Sequence, residues 1–258
     1  MLTTSVAASE VVNIVWDGSS GTAHVVWAED SSSGERPYWA AVSPGDGSPS
    51  ILKEQPLAGP GGEASVLAAL GSFGDGRLIT TYRNANDASW YSRIGGPDEL
   101  GEFAWEPKEA LPMEGFAGAV SLAIDEERVA HLVLRDDTNT RITYFRRQDP
   151  GGWSGGETAV DATDSDEIDL PTLAVDTTSR LVYVFFVNNA EEGATPQVAI
   201  RDPATRWEGP DAIAGTGEIG RRGAAHPTTM GRSKGQPIVI WTTQGAQPEI
   251  QSARISAP

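Results

Sequence analysis

The sequence predicts an all-β chain, a five-bladed β-propeller with four antiparallel strands per blade, its ring closed by the N-terminal strand. Three observations carry this. One apolar segment recurs five times at spacings of 54, 53, 52 and 55 residues. Each copy is flanked by further short strand-like segments that bring the unit to four. The chain also has one strand to spare at its start and one missing at its end.

The recurring segments are His24-Val25-Val26-Trp27, Leu78-Ile79-Thr80-Thr81, His131-Leu132-Val133-Leu134, Tyr183-Val184-Phe185-Phe186 and Ile238-Val239-Ile240-Trp241. They are rich in β-branched and aromatic residues, and too short and too glycine-bounded for helices. An innermost strand precedes each by one turn, most clearly in Ser121-Leu122-Ala123-Ile124-Asp125 and Thr172-Leu173-Ala174-Val175-Asp176. Asp at such a turn bonds the backbone two residues on. A third strand follows a polar loop, as in Ile142-Thr143-Tyr144-Phe145, and a fourth is expected to begin at Trp105, Trp153 or Trp207. The repeat units run over 8–57, 64–112, 117–162, 168–214 and 225–258, with 1–7 added to the last. The fifth unit supplies three strands, so residues 2–6 are expected to pair beside it and leave no open edge. No linker is visible, and the whole chain reads as one domain.

Composition narrows the partners. Lys and Arg total 19 against 36 Asp and Glu, a formal net charge of −17. That excess opposes nucleic acid and anionic membrane surfaces at long range. Cysteine is absent, so neither disulfides nor thiolate chemistry is available, and no structural transition metal is expected. No apolar run approaches the ~18 residues of a membrane span. The opening residues Met1 to Val6 lack a basic region followed by an apolar core; a secreted protein trimmed of its leader reads the same way, and secretion is preferred to the cytoplasm. A monomer is expected.

The innermost strands that end in Ala-Ile-Asp125 and Ala-Val-Asp176, with the turns Asp149-Pro150-Gly151-Gly152-Trp153 and Asp202-Pro203-Ala204-Thr205-Arg206-Trp207, resemble the degenerate Asp-box repeats of bacterial sialidase-like propellers. Asp and Trp of the box are present; its Ser and Thr are not. The resemblance implies a propeller fold. It does not transfer an activity, because the match holds at the level of pattern and not residue by residue; true sialidases also have six blades. The five units are also similar in number to a five-bladed animal lectin and to five-bladed glycosidases with three carboxylates around a central pocket.

In such propellers ligands meet the loops after the central strands and the loops between blades. Candidate site residues are therefore Glu29, Arg83, Arg135, Asp136 and Asn188 at those strand ends, Asn13 and Thr228 on innermost strands, and His226 in the last inter-blade loop. Asp136 and His226 are the candidate catalytic groups. An imidazole titrates near pH 6.5 and serves as a general base, while hydrolysis of a glycoside needs two carboxylates, Asp136 pairing with Glu29, Asp169 or Glu114. Arg221 and Arg222 fall at the same loops. Trp39, Trp90 and Tyr91 are candidates to stack on sugar faces. The acidic loop holding Asp161, Asp164, Asp166 and Asp169 has oxygen ligands dense enough for Ca²⁺, without EF-hand spacing; apart from this, no cofactor is expected.

These features place first a binding module for a carbohydrate or similar polar ligand at the mouth of a central tunnel. A glycoside hydrolase or polysaccharide lyase using the same mouth is the alternative, and a protein-interaction scaffold is the third reading.

Overall fold

The computed structural model describes residues 9–29, 36–45, 48–57, 65–84, 87–113, 119–162, 167–176, 178–190, 193–204, 206–213, 228–230, 237–242 and 250–255. The expected closing strand, 1–7, lies outside them. The chain falls into two compact units, Met1–Gly115 and Phe116–Pro258, and its described residues form antiparallel sheets, none closed on itself.

The first unit holds two sheets. One runs in order through β1 (Ser9–Asp17), β2 (Thr22–Glu29), β3 (Arg36–Ser43) and β4 (Ser50–Pro56). The other runs through β5 (Ser65–Ser72), β6 (Leu78–Asn84), β7 (Trp90–Pro97) and β8 (Phe103–Trp105), with β9 (Glu109–Ala110) also pairing β7. The second unit holds β10 (Val120–Ile124) to β13 (Glu157–Asp161), with β11 (Ala130–Arg135) and β12 (Arg141–Arg147) between them. Next come β14 (Glu167–Val175), β15 (Val182–Ala190), β16 (Gly193–Arg201) and β17 (Trp207–Ala212). Last is a three-stranded sheet of β18 (Thr228–Met230), β19 (Ile238–Thr242) and β20 (Ile250–Arg254).

The fourth strand departs from expectation in two sheets. Trp105 ends β8 instead of beginning a strand, because Pro107 has no N–H to give the ladder and splits the edge into β8 and β9. Trp153 makes a single bridge to Arg147 ahead of β13, whereas Trp207 does open its strand.

Central strands are buried on both faces because neighbouring sheets stack on them. In β11, Leu132, Val133 and Leu134 are all fully buried. Buried polar groups on such a strand need partners, and Thr80 meets this by donating to the Ala69 carbonyl at 3.0 Å. Within the first unit Val26, Trp39 and Ala41 pack on Ala68, Leu70 and Tyr82. Within the second, Val133 and Tyr144 pack on Leu173, Val184 and Phe186. The tryptophans mark this stacking. Trp105 meets Trp39 edge-on at 5.8 Å, and Trp207 meets Tyr144 likewise at 5.3 Å. Trp39 faces Val26 and Tyr144 faces Val133 in register, so one aromatic device recurs in both units.

The turn aspartates act as read from the sequence. Asp17 accepts from Ser19 N at 3.1 Å, Asp125 from Val129 N at 2.8 Å, and Asp176 from Thr178 N at 2.9 Å. Two histidines at matching register differ in their surroundings. His131 lies 3.1 Å from the Asp125 carboxylate and 2.7 Å from the Tyr144 hydroxyl, whose pKa burial pushes up to about 12. His24 is buried against Trp39 and Phe103, with neither ring nitrogen hydrogen-bonded among the described residues.

Burial lowers the His24 pKa, with the Asp17 carboxylate pulling the other way. The neutral ring is thus favoured in the folded chain, and the unfolded chain takes up the proton first. The stability this group contributes is complete above about pH 6.5 and is lost as pH falls from there through the depressed folded value. The melting temperature should therefore drop between pH 7 and 5, and His24→Phe should show a shallower drop. Parallel curves for the two proteins would refute this assignment.

Candidate functional site

In three sheets the first strand carries a bulge at the same place in the repeat. The register shifts between Glu10 and Asn13 in β1, between Ser65 and Ala68 in β5, and between Asp169 and Thr172 in β14. A bulge bends the strand and re-aims the side chains beside it, and bulges are over-represented next to active sites. In the second unit the residue ahead of the bulge is an aspartate.

Asp169 makes an ion pair that joins two sheets of the second unit. Arg135, the last residue of β11, donates from Nη1 to Asp169 Oδ1 and, at 3.3 Å, to the Ile168 carbonyl. The Arg135 side chain is 17% exposed and that of Asp169 28%. Arg135 Nε is buried without a hydrogen-bond partner among the described residues. The partners are 34 residues apart in sequence, and the packing of neighbouring sheets joins them.

Asp136 stands at the expected strand end, directly after β11, and its carboxylate is engaged there. Its Oδ1 accepts from Thr140 N at 2.9 Å and Arg141 N at 3.1 Å, and its Oδ2 from Thr138 Oγ1 at 2.8 Å and Thr140 Oγ1 at 3.3 Å. Both carboxylate oxygens are engaged by the turn from β11 to β12, so Asp136 is a turn-organising group here. The signal was local: an aspartate followed by threonines two and four residues on is turn chemistry. That turn in turn holds β14, since Asn139, at φ 59°, accepts from Ile168 N at 2.7 Å.

Asn188 is half-buried on β15, opposite Ile168 in register, so Arg135, Asp136 and Asn188 all bear on the start of β14. Thr228 opens β18 opposite Ile240. The remaining described candidates belong to the first unit. Asn13 is half-buried opposite Val26, Glu29 ends β2, and Arg83 lies half-buried opposite Trp90, its Nε buried without a hydrogen-bond partner among the described residues. His226, Arg221, Arg222 and Glu114 lie outside the described residues, as do Asp164 and Asp166.

The sugar-stacking expectation changes, and the calcium expectation rests in part on residues outside those described. Trp39 and Trp90 are 0% and 1% exposed, so packing between strands consumes them. Tyr91 donates to Asp87 at 3.0 Å and carries the Lys108 ammonium over its ring. Of the acidic loop, Asp161 faces Arg141 at 3.8 Å and Asp169 is held by Arg135; a guanidinium competes with a cation for the same oxygens. Among the described residues no group of three His, Asp or Glu is placed to hold a metal.

No family model and no curated protein sequence matches the chain. Solved structures match it along nearly its whole length at low identity. An α-L-arabinofuranosidase from Podospora anserina, solved with cellotriose, is 13% identical with a TM-score of 0.57, over 98% of this chain and 92% of the other. An endo-arabinase from Bacteroides thetaiotaomicron is 13% identical at a TM-score of 0.54, over 98% and 96%. The Hadza microbial sialidase is 10% identical at 0.59, over 95% of this chain and 56% of its own. These likenesses concern the fold, and they support the sialidase-like propeller resemblance. They also correct the functional order read from the sequence, because the solved relatives are mostly glycoside hydrolases, so a pure binding module no longer stands first.

Proposed function

We propose that this chain is a glycoside hydrolase on a five-bladed β-propeller, acting at the end of the sheets where the innermost strands begin. The observation that carries the reading is likeness over almost the entire chain to enzymes that cleave glycans, two of which act on arabinose linkages. Five successive sheets, one in each repeat unit, support the blade count. Arabinan and arabinofuranosyl side chains are the first substrates to try.

Asp169 is the proposed reacting carboxylate. It precedes a bulge, is partly exposed and is held by a guanidinium in one direction, as a nucleophile or general base requires. A second carboxylic acid is required to protonate the leaving oxygen. A separation of about 5–5.5 Å between the two carboxyls goes with retention and about 6.5–9.5 Å with inversion, so the stereochemistry of the product reports the geometry of the pair.

The test is hydrolysis of linear arabinan, xylo-oligosaccharides, β-1,3-galactan and a panel of nitrophenyl glycosides that includes α-L-arabinofuranoside, followed by sugar release. Turnover of one of these that disappears in Asp169→Asn, with folding retained, supports the proposal. Binding of oligosaccharide without any cleavage would count against the proposal.

A further inference from the structure

We infer that Arg135 and the turn organised by Asp136 are positioning elements that fix the Asp169 carboxylate, so that Asp136 acts through the backbone and never on the substrate. The inference rests on the proposed hydrolase and assigns roles within its site. Two independent links converge on residues 168 and 169. Arg135 Nη1 donates to both the Ile168 carbonyl and Asp169 Oδ1. The second link starts at Asp136, which ties down Thr138, Thr140 and Arg141. The turn so closed presents the Asn139 carbonyl to Ile168 N at 2.7 Å, and the Thr140 carbonyl to Ala162 N at 2.8 Å.

Ile168 is thus gripped at both its N–H and its carbonyl by the hairpin of the preceding sheet, one residue before the carboxylate. The bulge beyond Asp169 breaks the regular ladder there, and a strand with a broken ladder needs such outside ties to hold one side-chain direction. Catalytic geometry tolerates little drift, a misplacement of about 1 Å costing on the order of a hundredfold in rate. Guanidinium bonds to a carboxylate are short and directional, which suits Arg135 to the task better than lysine.

The experiment uses the full chain and Arg135→Ala, Arg135→Lys and Asp136→Asn. One readout needs no substrate: three-bond couplings in labelled protein, which report whether the Asp169 side chain keeps one rotamer. The other is the separation of kcat from KM on a nitrophenyl glycoside that the wild type cleaves. Arg135→Ala should average the Asp169 rotamers and lower kcat about a hundredfold, with KM little changed. Millimolar guanidinium should recover part of both, and Arg135→Lys should fall between. Asp136→Asn should lower kcat on the order of tenfold, because an amide keeps one acceptor for the turn.

A single Asp169 rotamer in Arg135→Ala, or a loss of kcat that guanidinium does not relieve in a protein melting like the wild type, overturns the inference. Should Arg135→Ala fail to fold, Arg135→Lys carries the same two readouts. If the wild type cleaves no glycoside while the Asp169 rotamers still respond to Arg135, the hydrolase reading falls and the positioning role stands. If cleavage survives and the rotamers do not respond, the reverse holds.

Discussion

Asp169→Asn should reduce kcat/KM on any cleaved glycoside by about a thousandfold, a loss in the range expected when an acid–base carboxylate is removed. The amide keeps an oxygen for the Arg135 guanidinium but cannot act as nucleophile or base. Folding should be nearly retained, since Oδ1 still accepts the bond that joins the two sheets. Circular dichroism and a melting curve beside the rate measurement separate the two effects. Asp136→Asn gives the contrast: its carboxylate is spent on the turn, and its loss should be far smaller. Equal losses in the two variants, or wild-type turnover in Asp169→Asn, would move the chemistry elsewhere.

Trp39→Ala should be the most damaging single truncation in the first unit, at about 3–5 kcal/mol. The ring is 0% exposed. It stacks on Phe103 at 4.4 Å, meets Trp105 edge-on at 5.8 Å, and lies against His24 at 5.7 Å. Removing it empties the contact between two sheets, and the neighbouring strand cannot collapse into the gap. Gly95, which pairs with Trp105, shows how tight this corner is: a Cβ there would come within 2.6 Å of the Trp105 ring. Urea unfolding reads the difference through the midpoint at constant slope. Trp16, at 56% exposure, is the control, and its alanine variant should stay within about 0.5 kcal/mol. A similar cost at both positions would mean that Trp39 is not the keystone of that interface.

By itself the sequence determined the central strands and the aspartate turns. The central segments His131-Leu132-Val133-Leu134 and Tyr183-Val184-Phe185-Phe186 form β11 and β15 where the apolar runs stand. Asp17, Asp125 and Asp176 close the turns that their spacing announced. Such features depend on side-chain alternation and on hydrogen bonds two to four residues long, so a short window of residues contains their physics. Tertiary structure decided which polar groups remain for chemistry. Asp136 and Asp169 are both acids at strand ends, yet one is absorbed by its own turn and the other is met by an arginine 34 residues away. Trp39 and Trp90 look in sequence like sugar-stacking rings, and burial turns them into core. The bulges in β1, β5 and β14 left no mark in the sequence pattern, because an extra residue is visible only against the partner strand it fails to match. A carboxylate's role is set by the donors that surround it, and for Asp169 those donors come from the neighbouring sheet.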